Sequence, residues 1–267
     1  MSLLALSRMV WGLPPVGLDE VLAAAELQTR VDRKYLLPAA ALPALAAAVA
    51  GRYAVLEIGG RRCFEYSSTY FDTPDLLTFR QHRQGRRRRF KIRTRSYLDS
   101  GECMFEVKLA GARDRTEKRR MPHDIARRGE LTREAHAFLA DSLHEAYRMD
   151  PPDRIGPSAT TGYLRATLVQ TAGTGRVTCD VGLSCTAGGR TVRAAAGQVL
   201  VETKSPGAEG PMDRALRGLG VRPLSISKYC LAVAALQPGM RANRWQPALR
   251  RYFDERTAGH AEWARLR

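Results

Sequence analysis

Two spacings of apolar residues alternate along the chain. In some segments they recur every second position, in others every third or fourth, the periods of a half-buried strand and of an amphipathic helix. Period two predicts a strand over 28–37, where Arg30, Asp32 and Lys34 oppose Val31 and Tyr35, and another over 66–71. It is clearest over 87–97, where Arg87, Arg89, Lys91, Arg93 and Arg95 hold the odd positions and Phe90, Ile92, Thr94 and Ser96 the even ones. It returns over 102–109, with Glu102, Met104, Glu106 and Lys108 against Cys103, Phe105, Val107 and Leu109. Thr116, Lys118 and Arg120 form a further row, and strands are predicted over 160–170 around Arg165, over 176–181 around Arg176, Thr178 and Asp180, and over 199–204 around Glu202 and Lys204. Helical spacing predicts helices at 18–27, from Pro38 to about 50, from the Asp72-Thr73-Pro74 start to about 83, and at 131–147, 211–219 and 227–236. Residues 241–267 read as a basic tail with Trp245 and Trp263 as packing anchors and room for one more helix. With no repeat and no Pro/Gly/Ser linker, one domain over 1–240 followed by that tail is expected.

The count is about eight strands, antiparallel by their short connections, nearly all with one charged face. Such faces either point to solvent around an apolar core or turn inward in a closed sheet with a polar lumen, whose apolar outer side the helices then cover. Two like charges 4 Å apart repel by roughly 4 kcal/mol at an effective dielectric near 20. A lumen of cations therefore needs water, internal carboxylates such as Asp32, Glu106, Asp180 and Glu202, and a bound polyanion.

Charge sharpens this picture. The formal net charge of the 267 residues is +16 and the pI near 10.3, which point to a polyanionic partner: nucleic acid, membrane surface or phosphate-rich small molecules. Of 43 basic residues, 37 are Arg and six are Lys: Lys34, Lys91, Lys108, Lys118, Lys204 and Lys228. In a chain so biased to arginine, a remaining lysine marks a place where a compact point charge suits better than a planar fork. Cys63, Cys103, Cys179, Cys185 and Cys230 form no CxxC pair, so neither a disulfide scaffold nor a zinc site is indicated. No signal peptide, transmembrane segment or P-loop is read, and a cytoplasmic location is expected. His82, His123, His136, His144 and His260 lack ligand spacing and read as surface residues. Aromatic residues, 7% of the chain, do not alternate with the odd-position cations, which disfavours a nucleic-acid reader that stacks bases.

Eight short motifs then fall into a familiar order: Arg33-Lys34-Tyr35, Tyr70-Phe71-Asp72-Thr73, Arg93-Thr94-Arg95-Ser96-Tyr97, Phe105-Glu106-Val107-Lys108, Glu117-Lys118-Arg119, Arg176-Val177-Thr178-Cys179-Asp180, Val201-Glu202-Thr203-Lys204 and Ser227-Lys228-Tyr229. Over residues 28–236 the chain resembles the VTC domain, the polyphosphate polymerase domain of the triphosphate tunnel metalloenzyme superfamily, in a free-standing bacterial version without the fused regulatory domain and membrane helices. The resemblance implies an α+β fold: an eight-stranded antiparallel tunnel with a charged interior, flanked by helices. It implies an enzyme that uses ATP to lengthen inorganic polyphosphate, with Mn²⁺ or Mg²⁺ and no sequence-specific nucleic acid as partner. Lys34, Arg93, Arg95, Lys108, Lys118, Arg165, Arg176 and Lys228 would hold phosphates, assisted by Arg89, Lys91, Lys204, Glu106 and Asp180, and Glu202 would hold the metal. One departure stands out: Ser225 occupies a position, three before Lys228, that is often basic in the family, with Arg222 as the nearest substitute. A triphosphate hydrolase on the same tunnel, or a non-catalytic binder of polyphosphate or RNA, is the alternative. The 30–34 strand, Arg30-Val31-Asp32-Arg33-Lys34, lacks the ExExK glutamates expected of the hydrolase.

Overall fold

A computed structural model describes residues 1–23, 31–111, 116–237, 240 and 242–253. In chain order the elements are α1 (Ser2–Trp11), β1 (Pro15–Val16), α2 (Leu18–Ala23), β2 (Val31–Pro38), α3 (Leu42–Ala48), β3 (Tyr53–Leu56), β4 (Phe64–Asp72), α4 (Leu77–Gln84), β5 (Phe90–Tyr97), β6 (Glu102–Ala110), β7 (Thr116–Pro122), α5 (Arg133–Tyr147), β8 (Gly156–Gln170), β9 (Arg176–Ala187), β10 (Arg190–Arg193), β11 (Gln198–Ser205), α6 (Pro211–Gly218), α7 (Lys228–Leu236) and α8 (Gln246–Tyr252). Parts of the predicted helix 18–27 and strand 28–37 lie outside the described residues, as do Arg30, His260, Trp263 and the tail beyond Phe253.

Eight strands form one antiparallel path, in the order β2-β11-β9-β8-β4-β5-β6-β7, as the alternation predicts. Three short strands extend it: β10 on β9, β3 on β8, and β1 parallel to β3. They and α1 escaped the sequence reading because two to four residues, or a run such as Leu3–Leu6, are too short to display a period. Strand β5 begins only at Phe90, so Arg86 to Arg89 form the turn before it and Arg87 and Arg88 are exposed.

The path curls. Strands β6 and β2 lie near its opposite ends, yet Lys108 Nζ comes within 3.9 Å of Asp32 Oδ2. Among the described residues no ladder joins β2 to β7, so the tunnel is not closed by backbone hydrogen bonds as a full barrel would be. Part of the open edge of β2 is covered instead: the Leu224 amide, in the stretch before α7, donates to the Lys34 carbonyl at 2.7 Å.

Alternation decides which face goes where. On β5 and β6, Phe90, Ile92, Phe105, Val107 and Leu109 point outward and are buried under α5 by Ala135, Leu139, Leu143 and Tyr147, a stripe repeating every fourth residue. The Thr132 hydroxyl starts that helix by accepting the Ala135 amide at 3.2 Å. Helices α1, α3 and α6 cover the outer side of β2, β8, β9 and β11 through Leu6, Val10, Leu42, Leu45, Met212 and Leu216. At one end the inner side is also apolar: Leu36, Leu200, Tyr66, Tyr70 and Tyr163 pack against α7, and Trp245, Ala248 and Tyr252 pack behind them. The lumen is therefore charged along part of its length and stoppered at the other end. Asp72 anchors the stopper. Its carboxylate accepts the Thr73, Thr78 and Phe79 amides at 2.8, 2.9 and 3.1 Å, capping α4, and also the Tyr229 hydroxyl of α7.

Candidate functional site

The inward faces bring together all six lysines. Cross-strand pairing places Lys34 opposite Glu202, Lys204 opposite Asp32 and Arg176, Arg93 opposite Glu106, and Lys91 opposite Lys108, which in turn faces Lys118. Lys228 enters from the N-terminus of α7, where the Ser227 hydroxyl caps the helix by accepting the Cys230 amide at 3.1 Å. The Ser227-Lys228-Tyr229 motif is thus a helix cap, and it also delivers a cation.

Three carboxylates organise these charges, each differently. Glu106 is 1% exposed; its Oε2 accepts from Arg93 Nε at 2.7 Å and lies 3.7 Å from Arg95 Nε, while its Oε1 lies 3.6 Å from Lys118 Nζ. Burial alone would raise the Glu106 pKa, but Arg93, Arg95 and Lys118 outweigh it and hold the carboxyl far below the usual range. Asp180, fully buried, accepts a two-pronged contact from Arg165 at 2.6 and 2.9 Å and a further bond from Lys228. Here too burial is outweighed by the two cations, which lower the Asp180 pKa to about 2. Among the described residues Glu202 is held by lysine: Lys204 Nζ donates to Oε1 at 2.6 Å. Lys204, Lys34, Lys108 and Lys228 together overcome burial and keep Glu202 ionised.

Burial depresses the lysines in turn. Lys91 falls to about 7, with Lys108, Lys34 and Arg93 adding repulsion; Lys118 and Lys204 fall to about 8, each partly supported by its glutamate. Cations clearly outnumber carboxylates on this face, so the arrangement is built for an anion with several charges.

Tyrosines form part of the floor, and sequence reading missed them. The Arg165 guanidinium lies 5.0 and 5.1 Å from the Tyr66 and Tyr163 ring centres, Lys228 Nζ 4.4 Å from Tyr163, and Arg93 Nη1 donates to the Tyr70 hydroxyl at 3.2 Å. The signal was present in the Tyr66, Ser68, Tyr70 alternation of β4. Arg89 sits at the mouth in the turn before β5. His82, expected on the surface, is half-buried beside Lys91; burial, with the charge of Lys91, lowers its pKa to about 2. Arg222 is exposed, and the residue that reaches Ser225 is Arg244, whose Nη2 donates to the Ser225 hydroxyl at 2.9 Å. A separate open hollow of about 710 Å³ lies among Arg80, Arg86, Arg87, Arg88 and Met149, away from the carboxylates.

Among the described residues no group of three or more His, Cys, Asp and Glu side chains is placed to hold a metal. Glu202 offers a single carboxylate. That donor set fits a hard divalent ion that brings most of its ligands with it, as phosphate oxygens and waters. No helix among the described residues is long and apolar enough to cross a membrane.

The family model for the VTC domain matches residues 29–237. Comparison with curated proteins gives no match. Among solved structures, the chain is similar to a putative adenylate cyclase from Bacillus halodurans, with 14% identity and a TM-score of 0.45 over 75% of this chain and 94% of that one. It is also similar to the putative adenylyl cyclase HpAC1 from Hippeastrum, described as having a dominant triphosphatase activity, with 15% identity and a TM-score of 0.44 over 78% of this chain and 97% of that one. A conserved hypothetical protein from Pyrococcus furiosus follows, with 10% identity and a TM-score of 0.33 over 73% and 92%.

Proposed function

The chain belongs to the VTC domain family, and on that premise we propose that it is an ATP-dependent polyphosphate polymerase working inside the cationic channel. The observation that carries this reading is the gathering of all six lysines, with Arg93, Arg95, Arg165 and Arg176, on one inward face whose carboxylates are too few to neutralise them.

A terminal phosphate oxygen of the chain attacks the γ-phosphorus of ATP. A new P–O bond forms, the bond from the γ-phosphorus to the β–γ bridging oxygen breaks, and ADP leaves with that electron pair. The nucleophile is already anionic, so no general base is needed, which suits a face without a catalytic His or Cys. Phosphoryl transfer asks chiefly for alignment and charge neutralisation. Arg93 and Arg95, fixed by Glu106, and Arg165, fixed by Asp180, present donors that do not have to reorganise. Lys34, Lys108, Lys118, Arg176, Lys204 and Lys228 add point charges along the chain, and Arg89 and Lys91 extend the row to the mouth. Glu202 is the residue that would hold a divalent ion, Mn²⁺ or Mg²⁺, which would supply further neutralisation of the transferred group. The five free cysteines suit a reducing cytoplasm, where ATP is also available. The reading takes residues 1–240 as the catalytic domain and 241–267 as a tail.

Incubation with ATP and Mn²⁺, followed by a gel stained for polyphosphate and an ADP assay, tests the proposal. Polymer with matching ADP is expected. Free phosphate without polymer would make the chain a hydrolase. Tight binding of polyphosphate or RNA with no nucleotide turnover would make it a binding module.

A further inference from the structure

One mouth of the channel opens into a pocket of about 300 Å³ whose lining includes Arg89, Lys91, Lys108, His82, Ser225 and Arg244. No carboxylate is among its described lining residues, in contrast to the interior, where each cluster of cations surrounds one. Lys91 continues the row that Arg95 and Arg93 begin on β5, so the pocket prolongs the channel. Arg244 has a different origin. It lies beyond the 29–237 span of the family match and reaches the pocket by a second return of the chain. That return is anchored. Trp245 is 3% exposed, its ring centre lies 5.4 Å from that of Phe79, and its indole N–H donates to the Ser225 carbonyl at 3.1 Å. The neighbouring Leu224 amide is tied to β2, so both walls near Arg244 are fixed.

Nothing in the apolar packing requires a cation at residue 244; the side chain is exposed on the pocket side. Lys91, Lys108, Arg89 and Arg244 together give the pocket lining a surplus of positive charge that an entering anion would relieve. His82 adds neither charge nor a free donor: its neutral imidazole spends its one N–H, at Nδ1, on the Thr78 carbonyl at 2.9 Å, which leaves the cations to hold the anion.

We propose that this pocket grips a stretch of inorganic polyphosphate remote from the reacting end, with Arg244 of the C-terminal segment as its length-sensing cation. The identity of the anion rests on the polymerase reading above. A chain too short to fill both the Glu202 region and the pocket gains nothing from Arg244, whereas a long one gains a charge-assisted contact.

The test is a titration of the full chain with tripolyphosphate and with long-chain polyphosphate, without nucleotide, at low and high salt. Arg244→Ala is expected to weaken long-chain binding about tenfold, the size of one charged contact, and to weaken tripolyphosphate binding far less. The difference should shrink at high salt as screening rises. Arg244→Lys should recover most of the loss, and Ser225→Arg in the Arg244→Ala background should recover part of it. Arg222→Ala, at an exposed position, serves as the control and should change neither ligand. Arg244→Gln carries the same expectation as Arg244→Ala should the latter fail to fold. Equal loss for both ligands, no loss for either, or single-stranded RNA bound as tightly and with the same dependence on Arg244, would overturn the proposal. Long-chain binding that depends on Arg244 in a protein making no polymer would sink the polymerase reading and leave this one standing. Polymer synthesis with a long-chain affinity indifferent to residue 244 would do the reverse.

Discussion

Glu106 and Glu202 are both glutamates on inward strand faces, both ionised against the cost of burial, and they are held in opposite ways. Arginine grips Glu106: Arg93 uses its planar fork, with Arg95 and Lys118 close behind. Lysine grips Glu202, mainly Lys204, whose own pKa has fallen to about 8. A guanidinium cannot release its proton and fits a carboxylate in one geometry, whereas an ammonium swings on a flexible stem. The first glutamate is fixed framework. The second has a partner that can swing away, as the metal role proposed for it would require. Asp180, with Arg165 and Lys228, combines the two modes.

The contrast can be broken most forcefully at Glu106. Glu106→Ala leaves Arg93, Arg95 and Lys118 without their common anion and should cost roughly 3–5 kcal/mol of stability. Chemical denaturation reads this directly, and a variant as stable as the parent would erase the distinction. Glu202→Ala should cost less stability than Glu106→Ala, because Lys204 can shed its proton where an arginine cannot, while metal-dependent ATP turnover falls by on the order of 100-fold and polyphosphate binding partly survives. Unchanged turnover would remove Glu202 from the metal role.

Lys34→Ala and Arg93→Ala should each reduce nucleotide use by roughly tenfold or more, visible in kcat/KM. The arginine variant should also lose stability, because Glu106 loses its fork.

Next in size is the pH response. Lys91, Lys118 and Lys204 titrate near 7 to 8 in the free protein. A bound polyanion raises those pKa values, so binding takes up protons. Affinity for polyphosphate should therefore fall as pH rises from about 6 to 9, by up to about tenfold per unit for each proton taken up. For folding the sign reverses. The unfolded lysines keep ordinary values, so between about 7 and 10 the unfolded chain binds more protons and the ligand-free protein gains stability as pH rises through that window. Lys91→Met should accordingly raise the melting temperature of the free protein at neutral pH while weakening polyphosphate binding. The smallest effect expected is that of Ser227→Ala, about 1 kcal/mol of stability from the lost cap, with a modest loss of Lys228 positioning.

What sequence made legible was whatever repeats. The odd-position cations of β5 and the fourfold stripe of α5 follow from one rule about which face water touches, and from them came the inward lysines and the helix-covered exterior. What stayed hidden depends on distant parts of the chain meeting. Arg87 continues the alternation on paper, yet the strand starts only at Phe90. His82 has an unremarkable sequence context, and only folding brings it into the same pocket as Lys91. Ser225 appears as a gap in the row of cations; that Arg244 arrives beside it, nineteen residues later in sequence, is a fact of tertiary packing. The open edge of β2 likewise depends on curvature, which no local pattern reports.

Placing nearly every lysine in one channel has a practical corollary. Apart from the chain's own amino terminus and Lys118, which is exposed on the edge strand β7, the outer surface of the described fold carries arginines as its basic residues and the other five lysines face the channel. Any reagent selective for amines, whether a succinimidyl ester, an aldehyde fixative or an acyl phosphate, will therefore react chiefly inside the passage, and a lodged phosphate chain will shield those positions. Non-specific acylation becomes, on this scaffold, a footprint of occupancy.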